Sequence, residues 1–361
     1  MKKVLIIGPM PEPTTGVSLA NKVVVENFKK HEIFKVQTIN TSYNKFDEKL
    51  GVFSLSKALF FLKLNFLAYK IFKADTIYLT PGQTFFGVAK YTLFILLAKL
   101  LRKEIIAHIH GNYLGTEFKQ LKGVKKAAFK SLLSHTNKGI VLSESLKDNL
   151  TPFIEDQNIH VLFNFVEDYL FTADNPQDKK IISQPRIIFL SNLMEEKGIF
   201  DLLEALKILE ESNVNFKAKI AGNIDKSNQN KCETYFNSLK NVKYVGVVGG
   251  QEKKELLDWG KIFILPTYYK MEGQPISILE AMATENIVLT TKHAGIPDVF
   301  TDKKNGFYIE KRNPKDIVDK IQYIINNEKS SKEIMKENLI LANKKHKVSN
   351  FISNLKAIFE A

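Results

Sequence analysis

Short apolar runs recur along the whole chain, and each is followed by a loop and then by residues at helical spacing. The runs lie at residues 3–8, 76–80, 105–109, 138–142, 186–191, 216–222, 262–266 and 287–291. Runs of this length suit strands that are buried on both faces of a parallel sheet. The alternation of strand and helix in both halves of a 361-residue chain predicts an α/β protein with two doubly wound sheets.

The most informative repeat continues from the run at 262–266 through a polar loop into a predicted helix. Pro275 suits the first helical turn, because its missing N–H would have no partner there. Three apolar residues then recur at helical spacing and predict one buried helix face, namely Ile276, Leu279 and Ala283. The start of this helix therefore lies at the carboxyl end of a predicted strand.

Two carboxylates, those of Glu272 and Glu280, flank this helix start. The free backbone N–H groups of residues 273–277 are expected to form a small anion site. Acids beside an anion make sense if they accept hydroxyl hydrogen bonds from the two ends of one diphosphate molecule. A nucleotide-sugar has that layout, and eight residues span about 12 Å if all are helical. The pattern therefore predicts a nucleotide-sugar site.

Glu272-x7-Glu280, with Gly273, Pro275 and the triplet Glu280-Ala-Met, resembles the signature of glycosyltransferase family 4. The resemblance implies the GT-B fold, in which two Rossmann-like doubly wound domains face a cleft. It also implies a retaining hexosyltransferase. Residues 1–165 are predicted to be the N-terminal acceptor-binding domain and residues 166–345 the C-terminal nucleotide-sugar-binding domain. Residues 346–361 are expected to form a helix that packs back on the first domain, and the polar residues 166–183 a connection.

The same resemblance assigns roles to individual residues. His110, Glu272 and Lys197 are the predicted catalytic residues, with His110 near the donor sugar and the acceptor. The predicted donor-binding residues are Glu280, Gly273, Gln274, Pro275, Ile276, Asn192, Gly222 and Gly16. Asn192 stands where the family usually has arginine, so Lys197 is expected to carry more of the charge that faces the diphosphate.

No cofactor or metal is expected. The resemblance implies a metal-independent reaction, and no aspartate-x-aspartate stands where a metal-bound diphosphate would require it. His108 and His110 lie on one strand face and form a possible metal pair, but no nearby cysteine or carboxylate completes such a site. The single cysteine, Cys232, excludes an internal disulfide and fits a reducing compartment.

The start of the chain predicts a strand and not a signal peptide, since its apolar run is short and Pro9, Pro11 and Pro13 follow. The longest apolar run, residues 91–98, is far below the roughly 20 residues of a membrane span. These features predict a cytoplasmic protein.

The excess of positive charge lies almost wholly in the first half. Residues 1–165 hold 23 Lys and Arg against 12 Asp and Glu, whereas residues 166–361 hold 29 against 27. Residues 53–72 mix Leu, Phe and Lys, and residues 87–101 and 117–137 are predicted to be basic, apolar-faced helices. Such helices are expected to lie on an anionic inner membrane surface. The alternative, that they are core-packing helices with solvated lysines, stays open.

The expected reaction moves a sugar from a UDP-sugar, favoured over a GDP-sugar, to a glycan or polyprenyl-linked acceptor in cell-surface polysaccharide synthesis. One alternative is a nucleotide-sugar epimerase or hydrolase of the same fold. Another is a basic, non-enzymatic protein that binds an anionic surface. A nucleic-acid partner is not expected, because no recognition motif occurs and aromatic residues do not interleave with the basic runs.

Overall fold

The computed structural model describes residues 1–43, 55–171 and 184–361. The predicted connection 166–183 therefore lies outside the described residues from 172 onward. Contacts divide the chain into two units. Unit 1 comprises Met1–Asn164, Met271–Gln274 and Phe351–Ala361, and unit 2 comprises Phe165–Lys270 and Pro275–Asn350.

Unit 1 contains a parallel sheet of six strands within the described residues, in the order β2-β1-β3-β4-β5-β6. Its strands are β1 Lys2–Gly8, β2 Phe34–Asn40, β3 Thr76–Leu79, β4 Glu104–Ile109, β5 Lys138–Val141 and β6 Ile159–Val161. Its helices are α1 Gly16–Lys30, α2 Leu55–Asn65, α3 Phe85–Ala89, α4 Thr92–Leu100, α5 Leu114–Gln120 and α6 Gly123–Leu133, with 3₁₀ helices at Phe66–Lys73 and Glu144–Asn149. The inner strands are buried, as their apolar runs predict.

Unit 2 contains a second parallel sheet, again of six strands in the part of the chain described, in the order β12-β11-β10-β7-β8-β9. Its strands are β7 Arg186–Leu190, β8 Lys217–Ala221, β9 Val242–Tyr244, β10 Ile262–Leu265, β11 Ile287–Thr290 and β12 Gly306–Tyr308. Its helices are α7 Ile199–Glu211, α8 Gln229–Ser238, α9 Gly250–Trp259, α10 Ile276–Ala283, α11 Pro314–Asn326 and α12 Glu328–Lys345. This strand order is that of a dinucleotide-binding Rossmann sheet.

The last helix, α13 Val348–Glu360, belongs to unit 1 from Phe351 onward. Phe359 is buried there against Phe28, with the ring centroids 5.3 Å apart. The carbonyl groups at the end of α13 accept hydrogen bonds from Lys2 (2.6 Å) and Lys138 (3.0 Å). Cations at a helix C-terminus also interact favourably with the helix dipole, so these contacts hold α13 on the sheet.

Two helix predictions in the basic half were wrong in extent. The predicted helix 87–101 consists of α3 and α4, and the predicted helix 117–137 consists of α5 and α6. The break in the second pair lies at Leu121 and Lys122, which are extended, and Gly123 then has a φ of +53°. Glycine adopts that conformation without strain, so it allows the chain to change direction and start a new helix.

In the three described ranges, no helix combines the length and the hydropathy needed to cross a bilayer.

Candidate active site

The strand order of the unit 2 sheet reverses between β7 and β10, and the carboxyl ends of such neighbouring strands are where α/β sheets bind ligands. The loop after β7 carries Lys197, and the loop after β10 leads to α10. The Tyr268 N–H donates a hydrogen bond to the carbonyl of Glu196 at 2.8 Å. The two loops are therefore joined beside Lys197, whose Nζ lies 5.1 Å from the centroid of the Tyr269 ring.

Gly198 follows Lys197 and occupies the cap position of α7 with a φ of +78°. A Cβ at this position would lie 2.4 Å from the carbonyl oxygen of Pro266. Both the left-handed backbone and the close approach of the two loops thus require glycine here. Gly198 therefore lets the loop that carries Lys197 pack against the loop after β10.

Gly222, at the end of β8, is also required by local packing. Its φ is +140°, and a Cβ would lie 1.8 Å from the carbonyl oxygen of Ser191. The close contact with Ser191 alone explains why residue 222 is glycine. A neighbouring nucleotide base is not needed to explain it. Asn192, next to Ser191, is exposed.

Helix α10 begins at Ile276. Pro275, which was predicted to lie in the first helical turn, takes the cap position directly before it. Helix geometry leaves the N–H groups of Ile276 and Ser277 without a partner inside α10. Residues 272–275 are not helical. The spacing given for Glu272 and Glu280 applied to a continuous helix, and this condition is not met.

Glu280 is 4% exposed on α10 and belongs to a buried network of charges. The Nζ atom of Lys253, on α9, donates hydrogen bonds to Glu280 Oε1 at 2.6 Å and to Glu167 Oε2 at 2.9 Å. One ammonium group thus pairs with two carboxylates, so the three side chains together carry one net negative charge. A neutral hydroxyl donor suits such a site better than an anion does.

Burial raises the pKa of the Glu280 carboxyl, and the Lys253 ammonium opposes that rise by favouring the charged form. Burial disfavours the charge of Lys253, but Glu280 and Glu167 outweigh it and raise the pKa of Lys253. Lys253 is therefore cationic at neutral pH, and it stabilises Glu280 as a hydrogen-bond acceptor.

The segment Met271–Gln274 is part of unit 1, although it directly precedes α10. Gln274 is 3% exposed, and its side chain donates to the Leu142 carbonyl at 3.0 Å and accepts from the Asn164 N–H at 2.7 Å. Asn164 also donates to the Gln274 carbonyl at 2.8 Å. Gln274, predicted to bind the donor, thus anchors the segment, while the adjacent Glu272 is 7% exposed.

Two further contacts hold this segment beside His110. A Cβ on Gly273 would lie 2.7 Å from the His110 carbonyl oxygen, so the two backbones are packed tightly. The side chain of Gln83 donates to the Met271 carbonyl at 3.0 Å and accepts from the Tyr113 N–H at 2.6 Å. Unit 1 therefore places Gly273, and with it the neighbouring Glu272, beside the backbone of His110.

His110 is stacked on His108, with 3.9 Å between the ring centroids. Burial lowers the pKa of His110 to about 3, and burial together with His110 lowers the pKa of His108 well below its usual range. His108 Nδ1 is hydrogen-bonded to the Tyr78 hydroxyl at 2.5 Å. The Nε2 atoms of both histidines are buried and have no hydrogen-bond partner among the described residues. His110 is thus a neutral ring with one unused polar atom.

Gly16, the remaining predicted residue, is the exposed first residue of α1. Thr15 precedes it and caps the helix, since Thr15 Oγ1 accepts from the Ser18 N–H at 3.1 Å and the Thr15 N–H donates to Ser18 Oγ at 2.8 Å. Threonine at this position therefore stabilises the start of α1. The unit 1 sheet changes strand order at β1, so Gly16 lies in a loop at a switch point.

Within the described residues, no three or more His, Cys, Asp and Glu side chains are grouped so that they could hold a metal ion.

Sequence reasoning missed Lys253, Glu167 and Gln83. Lys253 lies on α9, which was not predicted, and Glu167 lies in the segment that was interpreted as a connection. Leu256 and Leu257 indicate that one side of α9 is buried. No sequence pattern, however, identifies the two carboxylates that a lysine on that side contacts.

Residues 172–340 match the family model described as glycosyl transferases group 1. The amylovoran biosynthesis glycosyltransferase AmsK of Erwinia amylovora is 34% identical over 35% of this chain and 32% of its own length. A Campylobacter jejuni N,N'-diacetylbacillosaminyl-diphospho-undecaprenol alpha-1,3-N-acetylgalactosaminyltransferase is 24% identical over 91% of this chain and 83% of its own. The chain spans about a third to a half of the length of the first three curated relatives.

The crystal structure of Anabaena Alr3699/HepE in complex with UDP resembles the chain with a TM-score of 0.76 and 15% identity, over 100% of both chains. This likeness shows the fold, and the predicted GT-B class is confirmed. The resemblance to the group 1 glycosyltransferases is confirmed as well, and residues 172–340 carry the match.

Replacing Lys253 by methionine should destabilise unit 2 by about 3–5 kcal/mol, because two buried carboxylates lose their counter-charge. Urea denaturation followed by the fluorescence of Trp259, the single tryptophan, measures this change. The control is Lys207→Met, whose side chain is 46% exposed and lies 3.6 Å from Glu204. The control should cost about 0–1 kcal/mol.

Adding Glu167→Gln to Lys253→Met should restore part of the stability, since one of the two carboxylates is then gone. Equal destabilisation by Lys253→Met and Lys207→Met would show that the buried charge network does not stabilise unit 2.

Lowering the pH should destabilise unit 1 through His110. The unfolded chain takes up a proton near pH 6.5, whereas the folded ring stays neutral down to about pH 3, so stability is lost as the pH falls through this window. At pH 5 the loss is about 2 kcal/mol. Chemical denaturation of the wild type and of His110→Gln at pH 7.5 and pH 5 measures it.

The His110→Gln variant should lose correspondingly less stability between these two pH values, while a control, His31→Gln at an exposed position, should behave as the wild type does. An unchanged acid sensitivity in His110→Gln would contradict the inference that His110 is neutral in the folded protein.

Proposed function

We propose that the chain is a retaining glycosyltransferase that uses a nucleotide-diphosphate sugar and contributes to cell-surface polysaccharide synthesis. The family match over residues 172–340 supports sugar transfer. Relatives named for amylovoran, capsular polysaccharide and colanic acid biosynthesis support the class of product. UDP is the favoured nucleotide, because the similar Anabaena protein was crystallised in complex with UDP.

The observation that carries this proposal is the buried Glu280 on α10, held by Lys253 near the strand-order reversal of unit 2. A buried carboxylate that stays ionised is a strong acceptor for two neighbouring hydroxyl groups, as on a ribose. Lys197 and the first N–H groups of α10 supply positive charge for the diphosphate. We assign Glu280 to the ribose, and Lys253 acts through it as a positioning residue.

Glu272 would accept a hydrogen bond from a hydroxyl group of the donor sugar, and His110 would present its neutral ring to the donor sugar and the acceptor. As the glycosidic bond breaks, negative charge grows on the departing diphosphate. Lys197 and the α10 amides would offset that charge without a metal ion. We propose front-face retention, in which the acceptor attacks from the side that the diphosphate leaves.

The acceptor is proposed to be a glycan or a polyprenyl-linked sugar. The Campylobacter relative, which covers most of this chain, is named for a diphospho-undecaprenol acceptor. A lipid-linked acceptor fits a chain whose first half carries most of the positive charge, since it would bring the enzyme to the anionic inner surface of the plasma membrane. We therefore propose a cytoplasmic enzyme peripheral to that membrane.

Incubation with a panel of UDP- and GDP-sugars and a polyprenyl-diphosphate-linked acceptor should release UDP and yield a product that keeps the anomeric configuration of the donor. Glu272→Gln should lower the transfer rate by about 10²-fold or more while UDP still binds, because it removes a contact to the sugar and not to the nucleotide. Nuclear magnetic resonance of the product and calorimetry with UDP measure the two effects.

The matched control is Glu252→Gln, an exposed glutamate on α9, which should leave both quantities unchanged. Release of free sugar with no acceptor product would favour the hydrolase alternative. Conversion of one nucleotide-sugar into another would favour the epimerase.

Glu280→Gln should remove the preference for ribose. The wild type should bind UDP about tenfold or more tightly than 2′-deoxy-UDP, since a hydrogen bond to a charged acceptor contributes about 1.5–3 kcal/mol. In Glu280→Gln the ratio of the two dissociation constants should fall toward one. Calorimetry with both nucleotides gives this ratio, and the Glu252→Gln control should keep the wild-type value.

An equal loss of affinity for UDP and 2′-deoxy-UDP in Glu280→Gln would mean that Glu280 only supports the fold. Binding that depends on salt but is indifferent to this substitution would point instead to a non-enzymatic anion binder.

A further inference from the structure

We propose that unit 1 binds an anionic lipid bilayer by inserting an apolar face into it, and not by surface charge alone. The face comprises Leu62, Phe66, Tyr69, Phe72, Leu96 and Leu100, which are all exposed. This inference specifies the membrane partner of the proposed function, but it involves none of the proposed donor-binding or catalytic residues.

The 3₁₀ helix Phe66–Lys73 contributes a column of three aromatic rings. Phe66, Tyr69 and Phe72 are 82%, 57% and 61% exposed. Residues three apart in a 3₁₀ helix lie directly above one another, and the column from first to last ring is about 12 Å long. The opposite side of the helix, with Ala68 and Ile71, is buried in the core of unit 1. The aromatic column is therefore fixed in its outward direction.

Two neighbouring elements extend this column. Helix α2 ends where the 3₁₀ helix begins, and Leu62 lies four residues before Phe66 on its exposed side. Helix α4 packs against the 3₁₀ helix and buries Phe94 and Ile95, while Leu96 and Leu100 face outward. Exposed aromatic and leucine side chains on three elements that pack together are typical of an interaction surface.

The charges around the face favour an anionic partner. Residues 55–135 hold 13 Lys and Arg against three acids, Asp75, Glu104 and Glu117. Each of these acids already accepts a hydrogen bond within unit 1, from the Lys3 N–H, from Lys2 and Thr76, and from the Phe85 N–H respectively. Apolar side chains among such an excess of lysines match acyl chains beneath anionic headgroups.

Other occupants fit less well. A second copy of the chain would bring two positive surfaces together, and like charges repel. A nucleic acid would match the lysines, but it offers its phosphates and not an apolar layer to the outward-facing leucines. A bilayer satisfies both features at once, because Phe and Leu leave water while Lys63 and Lys73 remain at the headgroups.

The test introduces a fluorescent reporter at the face. Phe66→Trp is conservative, and its fluorescence should shift to the blue on vesicles of phosphatidylglycerol and phosphatidylcholine in equal parts. Lipids brominated in their acyl chains should quench it. Val247→Trp, at a position 69% exposed in unit 2, is the matched control and should show neither effect. Trp259 is present in both variants and in the wild type, which gives the background signal.

A second pair of variants measures affinity. The double variant Phe66→Ser, Phe72→Ser should bind the mixed vesicles at least about tenfold more weakly in a sedimentation assay, since it lacks two rings that would leave water for the bilayer. Val247→Ser with Ile340→Ser should bind as the wild type does. Binding of the wild type should require phosphatidylglycerol and should persist in part at high salt.

Several results would overturn the proposal. One is a Phe66→Trp signal that the brominated lipids do not quench, or vesicle binding that the two serine substitutions leave unchanged. Another is binding that high salt abolishes completely, which would mean surface charge alone. A wild type that ignores vesicles but forms dimers would assign the face to a second copy.

Discussion

A single ammonium group, that of Lys253, lies 2.6 Å from one carboxylate and 2.9 Å from another in the interior of unit 2. It joins α9, α10 and the segment at Glu167, which are distant in sequence. Burying Glu280 without this cation would favour its neutral form, and a neutral carboxyl is a weaker acceptor for hydroxyl groups. The proposed recognition of the ribose thus depends on the ion pair between Lys253 and Glu280, and the sheet determines the position of that pair.

The placement follows from parallel strands. All carboxyl ends of such strands lie along one edge, so the loops that follow them meet there. In unit 2 this brings Lys197 to the loop after β10, through Gly198 and Pro266. In unit 1 it brings His110 beside Gly273, with Gln274 held by Leu142 and Asn164. The stretch around Glu272 is thus divided, since Met271–Gln274 belongs to unit 1, whereas Pro275 and α10 belong to unit 2.

The eight inner strands of the two sheets and the place of α10 after β10 were predictable from sequence, because apolar runs and proline act locally. The role of Lys253 was not predictable, since it depends on two carboxylates that lie 27 and 86 residues away in the sequence. The extent of the predicted helix 117–137 was also wrong, because the chain is extended at Leu121 and Lys122 and Gly123 has a positive φ. The membrane contact expected of the lysine-rich, apolar segments stays a prediction, and the sequence alone does not tell that Phe66 and Phe72 are exposed while Ala68 and Ile71 are buried.

The most direct test of the central claim is a crystal structure of the chain soaked with UDP. The account predicts a ribose hydroxyl group within hydrogen-bond distance of Glu280, with Lys253 still in contact with the carboxylate and the diphosphate beside Lys197 and the first turn of α10. A nucleotide bound elsewhere, with Glu280 contacted by Lys253 alone, would contradict it.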